Sequence, residues 1–482
     1  MNAADPSNAT ERRAPGQLAA AGAASKSGLN LGPLWRVALE ARRQERSSRW
    51  SVEQLRRHQA RALAELRRFA VERSPFYRDF HRGLAQRPLE TLPILEKATL
   101  MAEFDRIVSD PAVRLADVQA HLSQADAPDL YRGRYTVLAT SGSTGVRGVF
   151  LFDPHEWTAA LAAITRPMAW AGAPPPWRRT RSALIASSAP WHYSARVGRS
   201  LSSSLLANLR LDAALPLAAM VAQLNAWQPE ALAAYPSVLL QLAEEQLAGR
   251  LRIPLRHIAT SAERLPCATR ERVHAAWGVP MFDTYGATEY APIATQCREG
   301  HLHLLEDRAI IEVVDERGRA VPPGEPGARV LLTVLDRHTQ PLVRYEISDA
   351  VRERPGRCPC GRPFRMLAGI EGRVEEILRF DARAGGSPVE LHPNDVHALL
   401  ERVPASGWQL VEQTSGSLEI LFTGVPRAEV SKGVRDDLAR MLDERGAAVP
   451  PIDVRWVDAL PRGATGKAPL IVSRRRNRAP RA

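Results

Sequence analysis

Cysteine and long apolar runs are both scarce in this sequence. Its 482 residues include only four cysteines, which are too few for a disulfide framework. No run of about 18 apolar residues occurs, so no helical membrane span is predicted. Residues 1–16 also lack the hydrophobic region of an export signal. We therefore expect a cytoplasmic protein with no membrane partner.

Lysine is nearly absent as well. The net charge of +12 comes almost entirely from arginine, because lysine occurs only at positions 26, 97, 432 and 467. Arginines are denser at 42–78 and 474–478, but neither group has the interleaved aromatics of a platform for single-stranded nucleic acid. We interpret both groups as solvated surfaces and expect no nucleic-acid partner. Functional anion binding is the alternative.

Patterns of strand and helix predict the fold class. Strand-like segments alternate with helix-like segments between residues 183 and 283, which predicts an α/β fold with helix-covered parallel strands. The apolar runs Ile310–Val314 and Val330–Leu335 flank a turn-rich segment and predict a small antiparallel sub-barrel or sheet. An amphipathic helix is predicted to begin at Ser51 and to end where Ser74 precedes Pro75.

Composition divides the chain into four parts. Residues 1–30 are rich in small and polar residues and have little apolar periodicity, which predicts disorder. Beyond Gly372, a hairpin over Gln409–Phe422, a helix over Val434–Glu444 and a strand over Ile452–Val457 predict a compact α+β unit. We expect a disordered tail at 1–30, a large domain at 31–371, a small lid domain at 372–475 and a basic tail at 476–482.

One loop has the composition of a phosphate-binding site. Two strand-like runs, Tyr135–Ala139 and Val149–Phe152, flank a stretch of small hydroxyl residues and glycines. Successive backbone N–H groups and hydroxyls in such a loop can donate to phosphate oxygens, and Arg147 adds a positive charge. The Walker pattern is absent because no lysine follows Gly145. An ordinary Ser/Gly turn is the alternative reading of the loop alone.

Five motifs in fixed order extend this observation. They are Thr140–Gly145 (TSGSTG), Asp283–Glu289 (DTYGATE), Arg344–Asp349 (RYEISD), Gly372–Glu376 (GRVEE) and Leu460–Lys467 (LPRGATGK). Together they resemble the adenylate-forming superfamily of acyl- and aryl-CoA ligases. The branch they resemble most is the phenylacetate-CoA ligase group, with its relatives in capsular-polysaccharide clusters.

The resemblance implies an enzyme that uses ATP and Mg²⁺ to activate a carboxylic acid as an acyl-AMP and then forms a thioester with CoA. An enzyme that stops at the adenylate, or passes it to a carrier-protein thiol or an amine, is the alternative. A non-catalytic nucleotide-binding regulatory protein is an alternative of another class. The sequence does not specify which acid is used or the oligomeric state.

The resemblance also assigns roles to individual residues. Lys467 would bridge the carboxylate and the α-phosphate, Thr288 would donate to that phosphate, and Glu289 would bind Mg²⁺, which prefers carboxylate oxygen. Tyr285 would stack near the adenine, and Asp349 would accept from the ribose hydroxyls. The nucleotide-binding set is Thr140, Ser141, Gly142, Ser143, Thr144, Gly145, Ser261, Ala262, Glu263, Asp283, Tyr285, Gly286, Asp349 and Arg373.

The acid pocket and the hinge are less well specified. Trp191, His192 and Tyr235 occupy regions that line the acid pocket in relatives, and aromatic walls suit an aryl or other planar acid. These side chains could equally belong to the core. Glu375 matches the hinge position of the superfamily, with glutamate in place of aspartate. An ordinary acidic pair at a strand edge is the alternative there.

The cysteines suggest a metal site. Cys297, His303, Cys358 and Cys360 would form a closed tetrahedral set, which is typical of structural rather than catalytic zinc. The C-x-C spacing alone is a weak signal, and the resemblance adds to it because the phenylacetate-ligase group carries a similar set. Buried or free thiols are the alternative.

Overall fold

The structure is a computed structural model. It describes residues 32–124, 129–140, 147–172, 180–201, 207–373, 376–463 and 466–475. The predicted tails 1–30 and 476–482 lie outside the described residues, as do Ser141–Gly145 of the predicted phosphate loop and Glu375 of the predicted hinge.

The described chain begins with helices that pack on the rest of the protein. Ser51 caps the second of them in a reciprocal capping box with Gln54, and the helix ends at Ser74 before Pro75. Both ends are as predicted. Buried Leu55, Leu66 and Ala70 form its inner face. The elements are α1 (Gly32–Ser47), α2 (Val52–Arg73), α3 (Pro75–Phe80), a 3₁₀ turn (Leu89–Thr91), α4 (Lys97–Ala102), α5 (Phe104–Ile107) and α6 (Leu115–Ser123).

Strands and helices alternate through the middle of the chain, as the sequence predicts. The helices are α7 (Pro154–Trp170), α8 (Tyr193–Ser200), α9 (Leu217–Trp227), α10 (Pro236–Leu247) and α11 (Cys267–Trp277). The strands are β1 (Thr136–Ala139), β2 (Val149–Phe152), β3 (Ser182–Ala186), β4 (Asn208–Asp212), β5 (Ala231–Ala234), β6 (His257–Ser261), β7 (Met281–Tyr285), β8 (Ala294–Gln296), β9 (Leu302–Leu304), β10 (Ala309–Val314), β11 (Arg329–Val334), β12 (Tyr345–Ile347), β13 (Asp349–Arg354) and β14 (Met366–Arg373).

The central element is a nine-stranded sheet in the order β13-β14-β9-β8-β7-β6-β5-β3-β4. Five neighbouring strands are parallel to one another: β7, β6, β5, β3 and β4. The other four, β8, β9, β14 and β13, extend the sheet with antiparallel pairing. The predicted α/β class is confirmed. Parallel strands bring their carboxyl ends to one edge, which is where open α/β sheets bind ligands.

Two smaller antiparallel sheets accompany the large one. The hairpin β1–β2 is fully buried and pairs Thr136 with Phe152 and Ala139 with Val149, so both ends of the predicted phosphate loop are anchored. Strands β10, β11 and β12 form a three-stranded sheet, as the two apolar runs around Val321 predict.

The C-terminal segment, residues 376–475, builds a hydrophobic core of its own around Trp408, Phe422 and Leu438. Its helix begins at Ala428, six residues before the predicted start at Val434. The prediction starts late because the buried positions that show the helical period begin only at Val434. The elements are β15 (Leu378–Phe380), β16 (Val389–Leu391), α12 (Pro393–Leu400), β17 (Gly407–Glu412), β18 (Leu418–Thr423), α13 (Ala428–Glu444), β19 (Ile452–Trp456) and β20 (Ile471–Ser473).

Within the described residues, no helix is both long and apolar enough to cross a membrane.

Candidate functional site

A cavity of about 540 Å³ lies at the carboxyl ends of the parallel strands. Its walls include the ends of β3, β5 and β6 and the loop that follows β7. Ten residues that the sequence predicts for the site line it, nine of them from before residue 376 and one from the C-terminal segment: Thr140, His192, Tyr235, Ser261, Ala262, Gly286, Thr288, Glu289, Asp349 and Lys467.

Glu289 presents a buried carboxylate to this cavity. Its side chain is 6% exposed, and its Oε1 accepts a hydrogen bond of 3.1 Å from the Tyr345 hydroxyl. The ammonium group of Lys97 lies 3.6 Å from the same oxygen and also lines the cavity. Burial, and next the charge of Glu289, raise the pKa of Tyr345 well above its usual value, so this phenol remains a donor. The motifs did not predict Lys97 or Tyr345 as site residues.

Arg337 holds the backbone of Glu289 in place. This arginine is 2% exposed, and one guanidinium nitrogen donates to the Glu289 carbonyl at 3.1 Å. The other donates to the Leu151 carbonyl at 3.0 Å, and the guanidinium lies 3.9 Å from the ring centroid of Phe152. Because Leu151 and Phe152 belong to β2, the strand that leaves the predicted phosphate loop is tied directly to the residue proposed for the metal.

Tyr285 and Asp349, which the motifs predict for the adenine and the ribose, contact each other. The Tyr285 hydroxyl donates to Asp349 Oδ2 at 2.7 Å, and both residues are buried. Asp349 lines the cavity, whereas the ring of Tyr285 packs in the hydrophobic core and is not among the lining residues. The structure therefore assigns the tyrosine a supporting contact to Asp349.

Asp283 is also outside the cavity wall. Its carboxylate accepts from the Thr284 N–H at 2.8 Å, and burial raises its pKa to about 6 against the opposing charge of Arg270. Its own N–H donates to the side-chain oxygen of Gln296 at 3.0 Å. This network fixes the end of β7, which contains the cavity residue Thr284 and directly precedes the cavity residue Gly286.

Thr140 closes the base of the predicted phosphate loop. Its N–H donates to the Gly148 carbonyl at 2.9 Å, and its hydroxyl oxygen accepts from the Gly148 N–H at 2.8 Å. Arg147 lies over the ring of Trp191, with its guanidinium carbon 4.7 Å from the ring centroid. Trp191 is not among the cavity-lining residues, although its carbonyl accepts from the Ala139 N–H at 3.0 Å.

His192 and Tyr235 also line the cavity. The pKa of His192 falls to about 4, first because of burial and then because of the charge of Lys467, so the ring is neutral at pH 7. The Tyr235 hydroxyl accepts from the Ser187 N–H at 3.0 Å, and burial raises the tyrosine pKa to about 12. Apolar side chains also contribute to the cavity wall: Ile164, Pro167, Met168, Val197, Ala291 and Pro292.

Lys467 reaches the cavity from the C-terminal segment. It belongs to the lysine loop, residues 460–469, of which 464 and 465 lie outside the described part. Its Nζ lies 5.7 Å from the ring centroid of Tyr235. The loop closes on itself where the Gly463 N–H donates to the Lys467 carbonyl at 2.8 Å. The lysine is thus at the carboxyl edge of the parallel strands, near the residues predicted for the acid.

The predicted hinge adjoins a crowded glycine. Gly372 has φ +134°, and a Cβ there would lie 2.6 Å from Cβ of Pro393. Any other residue would be strained in this backbone conformation and would clash. The side chain of Arg373, like Glu375, lies outside what the structure describes.

The four residues predicted for zinc come together away from the cavity. The ligand atoms of Cys297, His303, Cys358 and Cys360 all lie within 4.8 Å of one another. Cys360 Sγ is 3.3 Å from His303 Nε2, and Cys297 Sγ is 3.7 Å from Cys358 Sγ. His303 Nδ1 is 3.1 Å from the Phe364 carbonyl, which holds the proton on Nδ1 and turns Nε2 toward the thiols. These donors suit a thiolate-rich tetrahedral site.

Comparison with known proteins gives matches that agree with these features. The AMP-binding enzyme family model matches residues 134–331. The chain is 29% identical to a phenylacetate-coenzyme A ligase of Thermus thermophilus over 204 residues, which cover 40% of this chain and 44% of that protein. It is 28% identical to protein CapK of Staphylococcus aureus over 27% of this chain and 28% of that protein. These matches span less than half the length of either relative.

The fold likeness extends much further along the chain. A crystal structure of 2-hydroxyisobutyryl-CoA ligase, in the postadenylation state with an acyl-AMP, matches with a TM-score of 0.66 at 19% identity. The match covers 89% of this chain and 91% of that one. At this identity the likeness establishes a shared fold.

Proposed function

We propose that this chain, a member of the adenylate-forming superfamily, uses ATP and Mg²⁺ to convert a carboxylic acid into an acyl-AMP and then transfers the acyl group to CoA. One observation carries the proposal. Lys467 lines the same cavity as Glu289, Thr288 and Asp349, although it comes from the far end of the chain. A cytoplasmic location, where ATP and CoA are both available, is part of the proposal.

The chemical difficulty of the first step is electrostatic. A carboxylate oxygen attacks the α-phosphorus of ATP, the bond from that phosphorus to the bridging oxygen breaks, and pyrophosphate leaves. Two anions must approach each other, so positive charge and fixed donors are needed where charge develops. Mg²⁺ bound at Glu289 would neutralise phosphate charge when present.

Residues of the cavity supply the remaining parts. Lys467 bridges the carboxylate and the α-phosphate, and Thr288 donates its hydroxyl to that phosphate. Asp349, held by Tyr285, accepts from the ribose hydroxyls. Lys97, 3.6 Å from Glu289, is a second cation beside the phosphates. Residues 140–145 hold the phosphates through backbone N–H groups and hydroxyls.

The acid packs against apolar residues of the cavity wall. The neutral ring of His192, the ring of Tyr235 and the apolar wall around Met168 favour an uncharged aryl or acyl body over a second carboxylate. The carboxylate of the acid is directed to Lys467, whose Nζ lies 5.7 Å from the ring centroid of Tyr235.

The second step requires the C-terminal segment to move. We divide the chain into a large domain at 31–371 and a lid domain at 372–475, with the pivot at Glu375. The separate hydrophobic core around Leu438 and the constrained Gly372 support this division. Rotation of the lid would withdraw Lys467 and admit the CoA thiolate, which attacks the acyl carbon and releases AMP.

The Cys₃His cluster holds structural zinc in this proposal. Its four ligand atoms, their burial and the Nδ1 hydrogen bond of His303 fit such an ion. The site joins Cys297, just after β8, to the turn at Cys358 and Cys360. Zinc would therefore fix the antiparallel half of the large sheet and take no part in the reaction.

The experiment is ATP–pyrophosphate exchange across a panel of arylacetic, benzoic, aliphatic and dicarboxylic acids, followed by AMP release with and without CoA. We expect exchange with an uncharged aryl or acyl acid and AMP release that CoA stimulates. Exchange without CoA-stimulated release would instead favour an enzyme that passes the adenylate to a carrier protein or an amine. No exchange with any acid, at protein concentrations that bind ATP, would favour a regulatory nucleotide-binding protein.

A further inference from the structure

The carboxylate of Glu263 joins the large sheet to the lysine loop. Its Oε1 accepts from the Ala468 N–H at 2.8 Å and from the Ser237 hydroxyl at 3.1 Å, while Oε2 accepts from the Ser237 N–H at 3.0 Å. Ser237 lies in the first turn of α10, where a negative charge is favoured by the helix dipole. Ala468 is the residue after Lys467, so the contact is one peptide away from the lysine.

The backbone before Glu263 is held in an unusual conformation. Ala262 has φ +71°, a region that residues with a side chain rarely adopt. Burial raises the pKa of Glu263, and donors from Ser237 and Ala468 and the charge of Lys467 oppose that rise. The strained turn and the three donors together hold the Glu263 carboxylate in one orientation, toward Ser237 and Ala468.

The lysine loop fits the large domain at a second point. Gly466 has φ +76°, and a Cβ there would lie 2.5 Å from Cβ of Ala213 and 2.7 Å from its carbonyl carbon. Arg462 donates to the Ala213 carbonyl at 2.7 Å and also bonds to the side chain of Gln241. Contacts on both sides of Lys467 therefore seat the loop in one position on the large domain.

The geometry points to Glu263 as a positioning residue that latches the lysine loop for adenylation. The inference rests on the proposed function, because it presumes that Lys467 acts in the first step and leaves in the second. The Ala468 contact exists only while the loop is seated, whereas both Ser237 contacts lie within the large domain. Glu263 thus stabilises one arrangement of the C-terminal segment and acts on the reaction through Lys467.

The test is a Glu263→Gln variant, which keeps the shape and removes the charge, beside Glu271→Gln, an exposed acid on α11. Hydrogen–deuterium exchange is followed in peptides covering 460–473 of the full chain. Pyrophosphate exchange and thioester formation from chemically prepared acyl-AMP and CoA are measured separately. Loss of one charge-assisted hydrogen bond predicts an effect of about 10-fold.

In the Glu263→Gln variant we expect faster hydrogen–deuterium exchange at residues 460–473 and pyrophosphate exchange that is slower by about 10-fold. The rate of thioester formation should stay within about 2-fold of the wild type. The Glu271→Gln control should match the wild type in deuterium exchange, pyrophosphate exchange and thioester formation. Unchanged deuterium exchange at 460–473, or equal losses in both half-reactions, would overturn the latch. If the wild type activates no acid, faster deuterium exchange in the variant still supports the latch while the proposed function fails.

Discussion

The ammonium group of Lys97 lies 3.6 Å from Oε1 of Glu289, in a cavity where that carboxylate is almost completely enclosed. Lys97 is the first residue of α4 and precedes Glu289 by nearly two hundred positions in the chain. A buried carboxylate without a cation or hydrogen-bond donors would be costly, and Glu289 has both, from Lys97 and Tyr345. A carboxylate oxygen prepared in this way also suits Mg²⁺.

Replacement of Glu289 by glutamine should weaken the metal site selectively. The amide keeps the volume and one acceptor but loses the charge that attracts a divalent cation. We expect the Mg²⁺ concentration for half-maximal pyrophosphate exchange to rise about 10-fold or more. The exposed Glu429→Gln on α13 is the control and should leave it unchanged. Equal Mg²⁺ dependence of both variants and the wild type would rule out Glu289 as the ligand.

The zinc site can be tested with two cysteines of one chain. Cys358 belongs to the cluster, whereas Cys267 is exposed and outside it. We expect about one equivalent of zinc in the purified wild type and in Cys267→Ser, and loss of that zinc in Cys358→Ser. The melting temperature of Cys358→Ser should fall by about 3 °C, as a loss of roughly 2 kcal/mol predicts for a domain of this size. Less than about half an equivalent in the wild type, with Cys358→Ser as stable as the wild type, would end this proposal.

Acid should destabilise the protein through buried histidines. Burial lowers the pKa of His81 from 6.5 to about 4, and neither ring nitrogen has a hydrogen-bond partner among the described residues. Between these two pKa values the imidazole of His81 is protonated in the unfolded chain and neutral in the folded chain. The free energy of unfolding therefore falls as the pH drops below 6.5, the pKa of the unfolded chain. Between pH 7 and pH 5 this one group contributes a loss of about 2 kcal/mol.

A His81→Phe variant removes that proton and keeps a ring beside Tyr77 and Phe80. Its unfolding free energy, measured by urea at pH 7 and pH 5, should drop by about 2 kcal/mol less than that of the wild type. The exposed His155→Phe is the matched control and should follow the wild type. An equal pH dependence in all three proteins would contradict the assignment.

The sequence predicted much of the fold because its signals are local. The start of a helix at Ser51, its end before Pro75 and the alternation of strands with helices each depend on neighbouring residues, and each is confirmed. The antiparallel half of the large sheet was not predicted. Its strands β8 and β9 have three residues each, too short for a period of two to be recognised.

The site was predictable only where motifs resemble known ones. The AMP-binding enzyme family model matches residues 134–331, and motif residues such as Glu289, Asp349 and Lys467 line one cavity. The sequence does not predict the contacts of Lys97 and Arg337 with Glu289, because both residues lie outside the motifs and far from Glu289 along the chain. Tyr345 lies within the Arg344–Asp349 motif, but its hydrogen bond to Glu289 depends on the tertiary fold. The motif predicts that Ser261–Glu263 contacts the adenine through backbone groups, and it does not predict the contacts of the Glu263 side chain with Ser237 and Ala468. Such contacts are set by the tertiary fold.

The measurement that tests the central claim most directly is pyrophosphate exchange by a Lys467→Ala variant, with the exposed Lys432→Ala as its control. If Lys467 bridges the two anions, its loss should slow exchange about 100-fold or more, while the melting temperature stays within about 1 °C of the wild type. Lys432→Ala should exchange at the wild-type rate. A wild-type rate from Lys467→Ala would contradict the account.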